Sequence, residues 1–233
     1  YFNGATLDRS RSSDPAMAEW STRLAALLIP MSKSIGADIG NELTSTALQI
    51  FGGMGYVEET GAAQYLRDIR IAAIYEGTNG IQGQDLVMRK LGGDEGNTVN
   101  EFLSSFDDTI AALANDTTME KFARQLASSF DDARRSSDWL NANNDVLDKL
   151  GGASPYTRLL GTALCGALTG KAALAAQTQL DSGDVTDADR SFYTSKIVSA
   201  RFFGEQILPT TSGLASMVTA GANDLFAMTA DQF

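Results

Sequence analysis

The chain has 233 residues, 43% of them hydrophobic and 20% charged, enough for one large domain or two modest ones with a core of useful size. Its 18 Lys and Arg face 29 Asp and Glu, and the resulting net charge of −11 argues against nucleic acid, whose phosphates need clustered cations. One cysteine cannot close an intrachain disulfide, and the lack of any histidine removes Ser/His and Cys/His catalytic pairs and most zinc sites, so no metal centre is expected.

The charge is uneven. Residues 94–148 hold twelve acids and four bases, whereas residues 49–91 hold five and four, so a site for an anionic ligand belongs in the second stretch. No uninterrupted apolar run reaches the roughly 18 residues of a membrane span, and no signal peptide is visible. The expectation is a cytoplasmic protein without a membrane span. Cys165, inside the apolar run 159–168, reads as a buried core thiol. The chain opens at Tyr1 in a polar stretch, which reads as a piece of something longer.

In chain order, residues 1–15 read as a loop. Asp14 before Pro15 suits a helix N-cap with proline in the first turn. Apolar residues at spacings of three and four then predict a helix over 16–51, which Pro30 should kink or interrupt. Gly52-Gly53-Met54-Gly55-Tyr56 breaks it. A second helix is predicted over 61–73 and a third over 79–91, with a short break at Tyr75-Glu76-Gly77-Thr78 between them. The polar, glycine-rich turn at 92–96 is the expected domain boundary, dividing 1–92 from 93–233.

Beyond it, helices are predicted near 98–114, 118–150, 155–181, 186–207 and 211–228. The breaks between them fall at Asn115-Asp116, Gly151-Gly152, residues 181–184 and Leu208-Pro209. Thr186 with Asp189 fits a capping box, and Ser154 and Thr117 are further candidate caps. No segment alternates like a strand. The expected fold is all-α: a helical bundle followed by a second helical bundle.

Two glycine-bearing helix breaks carry the chemistry. At the second, Glu76 follows the apolar run Ile71 to Tyr75, and a carboxylate among apolar groups is strengthened as a base. Gly77 beside it lets a ligand approach the backbone without meeting a Cβ. Asn79 with Gln82 fits a capping-box spacing, and the free N–H groups of a helix start can hold an anion. Taken alone, Glu76 also reads as a solvated loop carboxylate, and Gly52-Gly53 as a helix end and turn. Periodicity and composition carry only to a helical protein with a candidate anion site.

The wording of three blocks goes further. Residues 49–56 (QIFGGMGY), Leu66-Arg67-Asp68, and residues 74–82 (IYEGTNGIQ) occur in this order and spacing. The combination resembles the acyl-CoA dehydrogenase family, most strongly over 16–92, and 97–233 resembles the extra helical domain of its longer members. The resemblance implies α,β-dehydrogenation of an acyl-CoA thioester with FAD as cofactor and an electron-transfer flavoprotein as acceptor. It implies Glu76 as the base that removes the α-proton, with its backbone N–H on the thioester oxygen. Gly77 and Tyr75 match substrate-contacting positions, and Thr78, Asn79 and Gly80 match positions that touch FAD. Gln49, Ile50, Phe51, Gly52 and Gly53 match the loop that reaches the FAD of a partner subunit, implying a homodimer or homotetramer. Arg67 and Asp68 read as a structural ion pair.

The family's N-terminal helical domain and middle β-domain, which covers much of the flavin, have no counterpart in these residues. By itself the chain is therefore expected to bind FAD weakly and not to turn over acyl-CoA. The competing reading is a helical oligomerisation or scaffold module of a flavoprotein without dehydrogenase activity of its own, invited by the acidic, amphipathic region 97–233.

Overall fold

The structure, a computed structural model, describes residues 1–232. Among them there is no strand, and the fold is all-α. The chain divides into two compact units, Tyr1–Gly93 and a second from Asp94 onward.

The first unit is organised on one long helix. Its helices are α1 (Phe2–Arg9), α2 (Pro15–Phe51), α3 (Gly53–Tyr56), α4 (Ala62–Arg70) and α5 (Asn79–Asp85). The last continues as a wider π-helical turn through Leu91, whose Leu86, Val87 and Leu91 are buried. Helix α2 begins as its sequence predicts: Asp14 caps it by accepting from the Ala16 N–H at 3.0 Å, with Pro15 in the first turn. It buries Leu24, Leu27, Leu28 and Met31. From there its packed face changes to the smaller Ser34, Ala37, Asp38 and Asn41, which lets other backbone segments come close.

One expectation is overturned here and one is narrowed. Residues 1–15 are not all loop, because α1 packs on α2 with Thr6 buried and Asn3 Nδ2 donating to Ser32 Oγ at 3.1 Å. Of the two outcomes expected at Pro30, a kink or an interruption, the interruption does not occur: the helix runs on through Pro30, which is buried. Gly52 does end it, at φ 62° and ψ −145°. After α4, a 3-10 turn over Ile71–Ala73 leads into the loop that holds Glu76.

The second unit comprises α6 (Asn97–Ser104), α7 (Asp107–Ala114), α8 (Glu120–Ala142), α9 (Val146–Asp181), α10 (Asp187–Phe202, continuing as a π turn to Ile207) and α11 (Thr211–Val218). Its core is built on α9, packed by α8, α10 and α11. Tyr156, Phe102, Phe122 and Phe130 are its largest fully buried side chains. Phe102, Phe106 and Phe130 meet edge to face, at centroid distances of 5.5 and 6.1 Å.

The main correction lies in α9. The predicted break at Gly151-Gly152 is inside the helix, and Pro155 is inside it too. The chain turns instead at 143–145. There Asp145 caps α9 by accepting from the Leu147 N–H at 2.8 Å, and Asn143 Oδ1 accepts from the Asp145 N–H at 2.8 Å. Ser154 therefore lies mid-helix, and Thr117 precedes a helix whose N-cap position is Met119. The predicted helix over 98–114 is two, separated at Ser105-Phe106. Thr186 does cap α10, accepting from the Asp189 N–H at 3.2 Å and donating to its carboxylate.

By length and composition α9 could cross a membrane, but half of its most apolar window is buried inside its own unit, as in a core helix. Cys165 on α9 is half-buried rather than fully buried, and burial pushes its thiol pKa up.

Candidate functional site

Glu76 sits at the tip of a sharp reversal between α4 and α5. The N–H groups of Ile74 and Tyr75 both bond to the Ile71 carbonyl, at 2.9 and 3.1 Å, which closes the preceding turn. Glu76 then takes φ 56° and Gly77 φ 76°, two left-handed residues in succession. Glutamate pays a steric penalty in that region, so surrounding contacts must hold it there. The reversal leaves the Glu76 N–H without a bond to any described residue.

Those contacts come from two directions. Gln82 Nε2, one turn into α5, donates to the Glu76 carbonyl at 3.0 Å. Lys33, on α2, donates from Nζ to the Gly77 carbonyl at 2.6 Å and to Asn79 Oδ1 at 2.8 Å. Asn79 Nδ2 donates in turn to Asp38 Oδ1 at 2.6 Å and to the Ser34 carbonyl at 3.3 Å. Thr78 caps α5, accepting from the Ile81 N–H at 3.2 Å.

The capping box expected from Asn79 with Gln82 is therefore displaced by one residue: Thr78 is the cap, and Asn79 and Gln82 fasten the loop. The predicted site residues did not include Lys33 or Asp38. The legible sign was the change on α2 from Leu and Met to Ser, Ala and Asp.

The side chains of the loop face outward. Glu76, Gly77, Thr78 and Gly80 are exposed, and Ile71, Ile74 and Tyr75 are each about half exposed. The apolar surroundings expected for the Glu76 carboxylate are thus not closed by this chain alone, because Ile71, Ile74 and Tyr75 present their apolar surface outward instead of folding over it.

The second set of predicted residues lies elsewhere. Gln49, Ile50 and Phe51 form the end of α2, Gly52 is its C-cap and Gly53 opens α3; Ile50 is 81% exposed. A Cβ at Gly52 or Gly53 would meet nothing within 4 Å, so both offer bare, open backbone. Gly55 differs: a Cβ there would collide with the Leu48 carbonyl, so packing alone accounts for that glycine.

Because Asp38 fastens the Glu76 loop and Phe51 ends the same continuous helix, the two sets are about 20 Å apart along α2 at 1.5 Å per residue. The fold brings Tyr75 to Gly80 together and holds Gln49 to Gly53 away from them. Near the second set, Arg67 makes a two-point pair with Glu58 at 2.7 and 3.0 Å rather than with its neighbour Asp68. The hydrogen bond to Glu58 raises the guanidinium pKa.

Comparison with known proteins covers both units. A family described as "Acyl-CoA dehydrogenase, C-terminal domain" matches residues 16–91, and one described as "Acetyl-CoA dehydrogenase C-terminal like" matches residues 102–229. A 3-methylmercaptopropionyl-CoA dehydrogenase from Ruegeria pomeroyi is 32% identical over 225 residues, covering 95% of this chain and 38% of the relative. The broad-specificity linear acyl-CoA dehydrogenase FadE5 of Mycobacterium tuberculosis is 28% identical over 216 residues, covering 89% and 35%. A butyryl-CoA dehydrogenase from Syntrophomonas wolfei is 30% identical over 207 residues, covering 87% and 33%. The chain thus spans little more than a third of the length of these curated relatives. With an all-α fold and both family matches falling in order along it, the chain belongs to the acyl-CoA dehydrogenase family, to whose C-terminal helical portion it corresponds.

Proposed function

We propose that this chain carries the catalytic base and part of the flavin site of an enzyme that dehydrogenates an acyl-CoA thioester between Cα and Cβ. The observation that carries this reading is the left-handed turn at Glu76-Gly77, which presents an exposed carboxylate and an unbonded backbone N–H side by side. A thioester needs that pair: a base for the weakly acidic α C–H, and a donor for the oxygen on which enolate charge develops.

In this reading Glu76 takes the α-proton while its N–H, 1.46 Å of covalent bond from the same Cα, binds the thioester oxygen. Gly77 and Tyr75 line the substrate. FAD, when bound, supplies a two-electron acceptor at N5 for the β-hydrogen, which leaves as hydride, so the thioester loses one proton and one hydride and gains a double bond. Thr78, Asn79 and Gly80 contact that cofactor through the start of α5, whose first N–H groups have no intrahelical acceptor. The Asn79 side chain is already bonded to Lys33 and Asp38, so its contribution is through the backbone.

Gln49, Ile50, Phe51, Gly52 and Gly53 serve the FAD of a second subunit. Their separation of about 20 Å from the Glu76 loop supports a site shared across a homodimer or homotetramer. An electron-transfer flavoprotein takes the electrons onward. An acyl-CoA thioester is the substrate class; the chain itself does not select among acyl groups.

The test is Glu76→Gln in FAD-loaded protein of full natural length. Flavin reduction by acyl-CoA should fall on the order of 10²–10⁴-fold or more. Near-normal bleaching of the flavin would remove Glu76 from the mechanism and favour the competing reading, a helical assembly module.

A further inference from the structure

We propose that Lys33 is the positioning residue for Glu76, an inference that rests on the base assignment above. Glu76 is useful only in its left-handed conformation, because φ 56° fixes where both its carboxylate and its N–H point. Relaxation to negative φ would swing the Cα–Cβ bond and move both groups away from one substrate. Nothing in the local sequence favours the strained state, since glutamate avoids it.

The state is held from outside by two donors on consecutive carbonyls. Gln82 Nε2 takes the carbonyl of Glu76, and Lys33 Nζ takes that of Gly77 at 2.6 Å. Lys33 is the only one of the two that reaches from another long helix, 44 residues away in sequence, so it ties the turn to the rigid α2 scaffold. Its second bond, to Asn79 Oδ1, orients the Asn79 amide to donate to Asp38 Oδ1 and the Ser34 carbonyl. Lys33 and Asp38, five residues apart on α2, thereby grip the loop through one amide. An ammonium on the Gly77 carbonyl also polarises the peptide unit whose N–H belongs to Thr78, strengthening that donor.

Lys33→Met keeps the aliphatic stem and removes the ammonium. In FAD-loaded protein of full natural length, flavin reduction at saturating acyl-CoA should slow on the order of 10–100-fold per bound flavin, with little change in acyl-CoA affinity, since a misplacement near 1 Å has that scale of effect. Independently of activity, amide hydrogen exchange of residues 75–80 in the chain should quicken while the helical cores of α2 and α9 keep their protection. Lys33→Arg should restore both in part.

Unchanged exchange at 75–80 and an unchanged reduction rate in Lys33→Met, with Glu76→Gln inactive beside it, would overturn the Lys33 role and leave the base assignment standing. An active Glu76→Gln would overturn the base assignment, and with it this inference. Uniformly faster exchange with a normal rate per bound flavin would make Lys33 an ordinary structural residue. If Lys33→Met does not fold, Lys33→Gln, neutral and one bond shorter, should show the same two changes at smaller size, and no change in either would overturn the Lys33 role.

Discussion

A Cβ built on Gly152 would stand 2.8 Å from the carbonyl oxygen of Val218. Helix α9 and the end of α11 approach so closely here that only a hydrogen fits between them, and Leu140 and the Val218 side chain flank the same spot at 3.4 Å. Gly152→Val should therefore destabilise the second unit by about 1–3 kcal/mol through overpacking, seen as a lower midpoint in chemical or thermal melts. Gly4→Val, which meets nothing within 4 Å in α1, should leave the melt unchanged or raise it slightly, because valine ranks above glycine in helix propensity. Equal melts for the wild type and Gly152→Val would show that α9 and α11 do not pack as described.

The true start of α9 gives a second test. Asp145 accepts from the Leu147 N–H at 2.8 Å and is the helix cap, whereas Ser154 lies mid-helix. Asp145→Ala should cost about 1 kcal/mol. Ser154→Ala, exposed on the helix, should be neutral or slightly stabilising, because alanine is the better helix former. Urea melts of the two variants distinguish a helix that starts at 146 from one that starts at 155.

Tyr156 predicts a pH dependence. Its phenol is fully buried and exchanges a 2.7 Å hydrogen bond with Ser137 Oγ; burial raises its pKa well above 10, outweighing the hydrogen bond, which lowers it. In the unfolded chain the phenol ionises near its ordinary value of about 10. The folded state thus holds its proton more tightly than the unfolded state. Its contribution to stability is fully present below pH about 10 and is lost as pH rises above that toward the folded value. The loss approaches about 1.4 kcal/mol per pH unit for one proton. Tyr156→Phe should remove that one-proton slope, read from denaturant melts at a series of alkaline pH values.

These tests fall where the sequence was easy or hard to read. Asp14-Pro15 and Gly52 were legible because each acts through its own backbone: a cap accepts from the residues just after it, and a left-handed residue needs only itself. Gly151-Gly152 was misread because glycine has two uses, backbone freedom and close approach, and the sequence does not say which. The partner that decides it, Val218, is 66 residues away. The same distance hid the clamp at the candidate site. The block 74–82 announces its own unusual turn, but Lys33 is 44 residues earlier and looks like any lysine on a long amphipathic helix. Pro30 does not interrupt α2 for a related reason: a single missing hydrogen bond is a local cost, and burial along a 37-residue helix outweighs it.

Two glycines of the Glu76 loop separate stability from ligand contact. Gly77 has φ 76°, and a Cβ on it would lie 2.8 Å from Gln82 Nε2, the donor to the Glu76 carbonyl. Gly77→Ala should cost about 1–2 kcal/mol from left-handed strain alone and should loosen the turn as well. Gly80, in the first turn of α5, has negative φ and only Thr78 Oγ1 near its would-be Cβ, at 3.9 Å. Gly80→Ala should therefore leave the melting midpoint unchanged or raise it slightly, since alanine is favoured over glycine in a helix. If Gly80 meets the flavin as proposed, the same substitution should still weaken FAD binding in protein of full natural length, because the added methyl stands on the exposed face where the cofactor would rest. Flavin fluorescence titration alongside a thermal melt reads both. Undiminished FAD affinity in Gly80→Ala would move the cofactor away from the start of α5, whatever the melt shows.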